Sequence, residues 1–564
     1  MNRKNIAVWV SLAALIIVHL ILLSKTFYID PDGSIRTAGA GYGDIPYHLT
    51  EITKFAFSPF DLNEPIFYGT KLHYPFVINL ISGLLLGLTG LWTFSVMAPA
   101  YLCAIASVFL IFFIFKRCFN HRGWAIAAIM MFYLGGGMSG TTYIIENTFY
   151  KKDPPRSSET ILLGAKYPEQ NITYGAPLVQ FFLHQRTFII GFFAFLCTVS
   201  LFILTFERKR WKYAIAGGVA LGIMPLIHTH SFVAASCLLG CILLYAILKR
   251  NTLALKQFGL LLGIAVVIAL PQMVYLLGQK SFSEENTFSL FRLGWMILPA
   301  FGSVQFPSGV EPTAFSVEFL KFLWMNFGFF IPLFIAAVIL IIKQYKQKDA
   351  AGGYIVLSLF ASGILFFAAN IIRFQPWDYD NNKIMAYAVF FAIPPIIYTC
   401  RYWIDKKKII GIPITIISIA IIVSAGIIDI TPRLTTPYQK LLVIFNTSDR
   451  DVAEYIIAAV PEQDLILTGD YHLNPVVSLA GRPVLVGYPG WIWTHGIAYG
   501  ERLDEIKKFY HSPNDNLNFL EKYPIRYVMQ TNQTRNDYKA DVDFFERTYE
   551  KVYNSGQYTL YKIK

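Results

Sequence analysis

Long apolar runs recur along the 564 residues of this chain, and they restrict its fold more than any other feature. A helix needs about 20 mostly apolar residues to cross the ~30 Å hydrocarbon core of a bilayer. Hydrophobic residues make up 55% of the chain and charged residues only 15%, which is typical of a polytopic α-helical membrane protein. We predict about eleven transmembrane helices, near residues 6–24, 95–115, 123–140, 187–206, 213–229, 231–248, 257–277, 324–342, 352–372, 384–400 and 409–427.

Basic residues cluster at alternate ends of these predicted spans, which indicates their orientation. Examples are residues 116–122, 208–212 and 406–408. Because cytoplasmic ends of spans carry an excess of Lys and Arg, we expect these clusters and the N-terminus in the cytoplasm. All the clusters fall on one side only if the apolar stretch 72–91 does not cross the membrane. The segments that this topology predicts outside the cytoplasm are 25–94, 141–186, 278–323, 373–383 and everything after 428.

The sequence changes character near residue 449, where short apolar strands alternate with amphipathic stretches. The predicted elements are strands at 464–468, 482–486 and 525–530 and helices at 449–459 and 497–510. We therefore divide the chain into a transmembrane module, residues 1–428, and a small extracytoplasmic α/β domain, residues 429–564. Within this domain, the aromatic segment 487–496 could stack on a sugar ring or anchor the domain at the membrane interface.

One acidic residue, Asp44, lies in the polar and aromatic segment 41–48, soon after the first predicted span. A carboxylate beside the lipid headgroups is costly unless it has a function, so Asp44 is a candidate catalytic residue. The alternative is a structural role, in which the Asp44 side chain caps a helix of this loop.

Other ionisable side chains collect at the predicted outward ends of spans. Apart from His19, the predicted spans carry no ionisable residue near their middles, which argues against a transporter with binding groups at the midplane. Arg186, Arg373 and Lys383 suit a lipid-linked phosphate, because Arg offers a bidentate fork and Lys a point charge. The alternative is that these side chains only snorkel at the interface. If the phosphate carries a sugar, transfer needs a base for the acceptor hydroxyl, such as Asp44, and positive charge for the departing phosphate.

Residues 41–91 resemble the first outer loop of the GT-C class of integral-membrane glycosyltransferases. Members have an early catalytic acidic residue, followed by a non-crossing amphipathic helix that opens with a His-Pro-Pro-like sequence, here His73-Tyr74-Pro75. The stretch 481–491 is similar to part of the outward α/β domain of some bacterial members. This resemblance implies a polytopic fold with re-entrant or juxtamembrane helices in the first outer loop.

The same resemblance implies an inverting glycosyltransferase with a polyprenyl-phosphate-linked hexose or pentose as donor and Asp44 as the base. The acceptor would be a hydroxyl of a glycan, a lipid or a protein, at the outer face of a bacterial cytoplasmic membrane. Many relatives have two adjacent acidic residues, whereas here Ile45 follows Asp44 and the next acid is Glu51. The residues expected to line the substrate cavity are Tyr47, His48, Glu51, His73, His184, His228, His230 and Asp378.

The expectations for cofactors and partners follow from the same residues. Asp44 and His48 are four residues apart, and His228 and His230 could join them, so a Mg²⁺ or Mn²⁺ ion is one expectation and hydrogen bonding within the loop is the other. The net charge of +12 is explained by topology and membrane lipids and needs no nucleic acid. Two alternative functions are a transporter or flippase of a lipid-linked glycan, and a non-catalytic assembly protein that binds glycan through its tail.

Overall fold

Helices make up most of the chain. The computed structural model describes residues 3–39, 41–149, 174–278, 291, 317–346, 352–375 and 380–563. Asp378, which the sequence predicts in the substrate cavity, lies outside these residues. In chain order the helices are α1 (Arg3–Leu23), α2 (Gly41–Phe57), α3 (Val77–Thr89), α4 (Trp92–Phe119), α5 (Arg122–Leu134), α6 (Ser139–Phe149), α7 (Pro177–Gln180), α8 (Arg186–Arg208), α9 (Trp211–Gly222), α10 (Thr229–Leu248), α11 (Thr252–Leu277), α12 (Val317–Phe327), α13 (Phe330–Lys346), α14 (Gly353–Ile371), α15 (Asn381–Lys406), α16 (Lys408–Thr435), α17 (Thr447–Ala459), α18 (Pro475–Ser478), α19 (Pro489–Thr494), α20 (Gly500–His511), α21 (Asn518–Lys522), α22 (Asn532–Asn536) and α23 (Val542–Thr548).

Short strands form two small sheets. The strands are β1 (Tyr28–Ile29), β2 (Ile35–Thr37), β3 (Leu442–Phe445), β4 (Leu465–Leu467), β5 (Ile525–Gln530), β6 (Glu550–Asn554) and β7 (Thr559–Lys562). The first sheet has the order β1-β2-β3 and is antiparallel throughout. The second has the order β4-β5-β7-β6, in which only β4 and β5 are parallel. The predicted strands at 464–468 and 525–530 are thus confirmed, and the structure pairs them in parallel.

The structure confirms a polytopic helical membrane fold. Eight of the described helices are long and apolar enough to cross a bilayer: α1, α4, α8, α10, α11, α14, α15 and α16. Two further predicted spans, 123–140 and 324–342, are bent helix pairs instead of single helices. The angle between α5 and α6 is 73°, and that between α12 and α13 is 93°. Counting each pair as one span gives ten among the described residues.

The remaining predicted span, 213–229, is a shorter helix in the structure. Helix α9 ends at Gly222, three residues before Pro225, because proline disfavours helical backbone in the residue that precedes it. The side chain of Gln272 satisfies backbone groups on both sides of this break: its amide nitrogen donates to Gly222 O at 2.8 Å, and its oxygen accepts from Leu226 N at 3.3 Å. Such side-chain pairing is how broken helices are tolerated at membrane depth.

Contacts between residues divide the chain into two units. The first, called the helical unit, comprises Met1–Ser24, Ala100–Met273 and Ser289–Pro437. Its central helix is α15, in which 89% of the most apolar window is buried, whereas the corresponding value for α11 is 22%. Helix α11 therefore lies at the periphery of this unit, where its apolar side chains suit contact with lipid.

The second unit, called the loop-and-tail unit, comprises Lys25–Pro99, Val274–Phe288 and Tyr438–Lys564. It joins the first predicted outer loop to the C-terminal α/β elements. The domain boundary that we predicted at residue 428 cuts the chain once, whereas these two units each combine several separate segments. That boundary stays a prediction.

Backbone pairing and an arginine connect the loop to the tail within this unit. Val484 N donates to Pro65 O at 3.1 Å and Gly487 N donates to Ile66 O at 2.7 Å. Arg502 donates to Tyr68 O at 2.7 Å. The predicted strand at 482–486 is wrong: this segment forms only isolated bridges, one from Val486 to Phe67 of the outer loop and one from Val484 to Ile466 of β4, because its backbone pairs with the irregular loop and not along a sheet edge.

Helix α3 packs closely on α2 and does not span the membrane. Its 13 residues extend only about 20 Å, well short of the ~30 Å hydrocarbon core. Two glycines of α3 allow the close approach. A Cβ atom at Gly83 would lie 2.6 Å from Phe55 Cβ and 2.7 Å from Ile52 O, and one at Gly87 would lie 2.8 Å from Ala56 O.

We expect Gly83→Ala to destabilise the protein. The added methyl group overlaps α2, and overpacking of this kind costs about 1–3 kcal/mol. The matched control is Gly263→Ala in α11, where an added Cβ meets no atom within 4 Å. There alanine should leave the melting temperature unchanged or raise it, because it favours helix over glycine. Thermal unfolding of both variants in detergent measures the effect, and equal melting temperatures would contradict the packing described here.

Candidate functional site

Asp44 lies at the start of α2, in its first turn. It is the fourth residue of the helix and is partly exposed, so it lies inside the helix and not at the N-cap position. A negative charge here is favoured by the partial positive charge of the helix N-terminus. The segment that the sequence presents as a loop is therefore a helix that holds Asp44 at one end.

Three acidic or basic residues share one face of α2. Asp44, His48 and Glu51 follow the i, i+4, i+7 spacing that aligns side chains along a helix. The amide nitrogen of Asn79, on α3, lies 2.8 Å from Glu51 Oε2 and 3.1 Å from His48 Nδ1. His48, Glu51 and Asn79 are all buried. Burial raises the pKa of Glu51 to about 7.

Aromatic side chains surround Tyr47 on the same helix. Its ring centroid lies 5.3 Å from that of Tyr74, 5.4 Å from that of Trp491 and 5.1 Å from that of His495. His495 Nδ1 in turn lies 3.4 Å from Oε2 of Glu64, whose side chain is fully buried. Glu64 is thus a second buried carboxylate in this unit, and its histidine partner comes from the C-terminal tail.

The aromatic segment of the tail contacts the backbone beside Asp44. Trp491 Nε1 donates to Gly43 O at 3.1 Å. The His472 ring packs between rings of the tail and of α2: its centroid lies 4.4 Å from that of Tyr42, in a tilted arrangement, and 4.8 Å from that of Tyr488, in an edge-to-face arrangement. Burial lowers the pKa of His472 to about 4, so this imidazole is neutral near pH 7. Tyr42, at 40% exposure, is the most accessible of these rings.

His73 is the remaining predicted site residue in the loop-and-tail unit. Its ring lies 5.1 Å from that of Tyr275, at the end of α11, and its Nδ1 contacts the carbonyl oxygen of the same residue. Asp44, Tyr47, His48 and Glu51 come from α2, so five of the predicted residues fall in one unit.

The other predicted residues lie in the helical unit. Arg186 begins α8 and is fully buried, and His184 just before it is also buried. Arg373 follows α14. His230, in the first turn of α10, lies with its ring 5.3 Å from that of His228.

His228 and Lys383 have structural partners within the helical unit. His228 caps α10, where its Nδ1 lies 2.7 Å from Ser231 Oγ and accepts from Ser231 N at 3.3 Å. Lys383, in the first turn of α15, forms an ion pair with Asp380 at 3.1 Å.

Several residues around Tyr47 and Glu51 were not predicted individually as site residues, namely Asn79, Glu64, Tyr74, Trp491 and His495. The last two were considered only as part of the aromatic segment 487–496. Asn79 had the clearest signal in the sequence, because it is the one amide side chain inside the apolar stretch 77–89. As to a metal site, the part of the chain that the structure describes contains no group of three or more His, Cys, Asp or Glu side chains that could hold an ion. A divalent cation stays a prediction.

Three solved structures resemble the chain over nearly its full length. The apo oligosaccharyltransferase of Archaeoglobus fulgidus is 12% identical, with a TM-score of 0.52 over 94% of this chain and 70% of its own. AglB from the same organism, in complex with an inhibitory peptide and a dolichol-phosphate, is 12% identical with a TM-score of 0.50, over 98% and 74%. Apo ArnT from Cupriavidus metallidurans is 13% identical with a TM-score of 0.50, over 100% and 99%.

These neighbours belong to the GT-C class. The chain has a GT-C-like fold. This confirms the fold that the resemblance of residues 41–91 implied, and at 12–13% identity it is an argument about fold alone. No protein-family model matches the sequence, and no match was found among curated proteins.

Proposed function

We propose that this membrane protein transfers a sugar from a polyprenyl-phosphate-linked donor to an acceptor hydroxyl, with inversion at the anomeric carbon. The observation that carries the proposal is the surroundings of Asp44. This carboxylate is partly exposed in the first turn of α2. A buried polar network occupies the next turns of the same helix face, and an aromatic ring of the tail contacts the backbone beside the carboxylate. The GT-C-like fold supports the same chemistry, since AglB is in complex with a dolichol-phosphate, which is a lipid phosphate.

In this proposal Asp44 is the general base. It accepts the proton of the acceptor hydroxyl while the hydroxyl oxygen bonds to the anomeric carbon from the face opposite the phosphate. The bond between that carbon and the phosphate oxygen breaks, polyprenyl phosphate departs with its electron pair, and Asp44 later releases the proton to water. A positioned base contributes about 10²–10⁴-fold to such a step.

Cations of the helical unit are assigned to the donor phosphate. Arg373 and Lys383 lie at ends of α14 and α15, and a charge that develops on a departing phosphate is stabilised by such groups. Arg186 keeps the same proposed role, although its side chain is fully buried. The distribution of basic clusters supports an extracytoplasmic position for the loop-and-tail unit.

Turnover of a defined donor tests the proposed function. The purified protein would be incubated with short-chain polyprenyl-phosphate hexoses and pentoses and with cell-envelope saccharides and lipids as acceptors. We expect release of polyprenyl phosphate that depends on both the protein and the acceptor. Passage of a lipid-linked glycan across a vesicle bilayer without any release would favour the transporter and contradict the proposal. Sugar binding by the protein without turnover would favour the non-catalytic alternative.

A further inference from the structure

One buried amide links a histidine and a carboxylate on the Asp44 face of α2. Asn79 is fully buried on α3, and its Nδ2 atom is within hydrogen-bond distance of both Glu51 Oε2 and His48 Nδ1. An amide NH₂ group carries two hydrogens, so it can serve both acceptors at once. The three side chains thus form a connected chain of hydrogen bonds.

When Glu51 is ionised, its carboxylate fixes the direction of both bonds. A carboxylate only accepts, so it requires the NH₂ side of the Asn79 amide and not its oxygen. With one hydrogen of that NH₂ group directed at Glu51, the other is directed at His48 Nδ1. A ring nitrogen that accepts a hydrogen bond carries no proton, so a neutral His48 must carry its proton on Nε2.

We propose that Asn79 and Glu51 are positioning residues that hold His48 as the Nε2-protonated tautomer, a hydrogen-bond donor on the helix face that bears Asp44. The ring nitrogen next to Asn79 is occupied as an acceptor, and the other already carries a proton. Neither nitrogen of His48 can then take up the proton of an acceptor hydroxyl without disrupting this network.

The proposal gives different roles to Asp44 and His48, which are four positions apart on α2. This division of roles rests on the proposed function. Asp44 remains the group that accepts the proton. The Nε2–H of His48 is a donor, which suits an oxygen: that of the acceptor hydroxyl or that of a carboxylate. A donor beside a carboxylate favours its ionised form, which is the form that a general base requires.

Nitrogen NMR of the full-length protein tests the tautomer directly. The protein would be labelled with ¹⁵N-histidine, and a His48→Gln sample would identify the His48 signals among the ten histidines of the chain. The measurement is made at about pH 8.5, where Glu51, with a pKa of about 7, is mostly ionised. We expect His48 to carry its proton on Nε2 in the native protein.

Asn79→Asp is the decisive variant, because it keeps the shape of the side chain and replaces a donor with an acceptor. The introduced carboxyl group and that of Glu51 would share a proton, and the second oxygen of the introduced group would require a donor from His48. We therefore expect the proton signal to move from Nε2 to Nδ1. The matched control is Asn514→Asp, which adds the same charge at an exposed position of the same unit and should leave the His48 signals unchanged.

Two results would overturn the inference: a native His48 that is protonated on Nδ1, or an Asn79→Asp spectrum identical to that of the native protein. The native measurement decides the matter even if the variant does not fold. The readout requires no turnover, so it is separable from the proposed function. If Asn79→Asp changes the tautomer but the native protein has no transferase activity, the hydrogen-bond network is supported and the proposed sugar transfer is contradicted.

Discussion

Asp44→Asn should lower the rate of sugar transfer by about 10²–10⁴-fold, the contribution expected of a general base. The amide is almost the same size as the carboxylate and stays a hydrogen-bond acceptor through its oxygen, but it cannot hold the proton of the acceptor hydroxyl. The loss should therefore appear in kcat, with little change in KM for the donor. Release of polyprenyl phosphate under saturating donor measures this difference.

The matched control for this substitution is Asp32→Asn. Asp32 belongs to the same unit, is exposed and accepts a hydrogen bond from Ser34 N at 2.8 Å, which an Asn side chain can also accept through its oxygen. We expect native turnover in this variant. An Asp44→Asn protein that is folded and turns over at the native rate would remove Asp44 from the mechanism, and with it the main support for an inverting transferase.

The second large effect is expected from the double variant Arg373→Gln and Lys383→Gln. Hydrogen bonds to charged groups contribute about 1.5–3 kcal/mol each, which corresponds to roughly 10- to 100-fold in affinity. If both side chains bind the donor phosphate, KM for the donor should rise by about 10²-fold or more. kcat should fall as well, because the same side chains stabilise the charge that develops on the departing phosphate.

Loss of the same charge elsewhere is the control for that variant. Lys407→Gln with Lys408→Gln removes two exposed cations from the junction of α15 and α16. Its donor KM should be that of the native protein. Equal KM values for the two double variants would show that Arg373 and Lys383 only snorkel at the interface, the structural alternative for these residues.

The sequence predicted the membrane helices well because lipid imposes a simple rule on them. Each of the eight single spans coincides with an apolar run that is long enough to cross a bilayer. The rule fails at 213–229, where Pro225 follows the end of α9 and a side chain from another helix, Gln272, completes the backbone hydrogen bonding. A long-range contact of this kind leaves no signal in a window of the sequence.

The surroundings of Asp44 were only partly predictable for the same reason. The glycines and the proline of the segment 41–48 suggested a loop, although Pro46 lies inside α2 at its sixth position, where it removes one backbone hydrogen bond of the helix. Asp44, His48 and Glu51 could be singled out from their spacing and chemical type. Their connection to Asn79 depends on how α3 packs on α2, and the covering rings of Trp491 and His495 come from the far end of the chain.

The pairing of the outer loop with the tail has a consequence for biosynthesis. Arg502 binds a carbonyl oxygen 434 residues earlier in the chain, at Tyr68. At translation rates of about 5–20 residues per second, roughly 20–90 s separate the emergence of these two partners from the ribosome. During that interval α2 stands without the aromatic rings that later cover its first turn. The surroundings of the helix that carries the proposed base are therefore completed late in synthesis, although the ribosome makes that helix among the first.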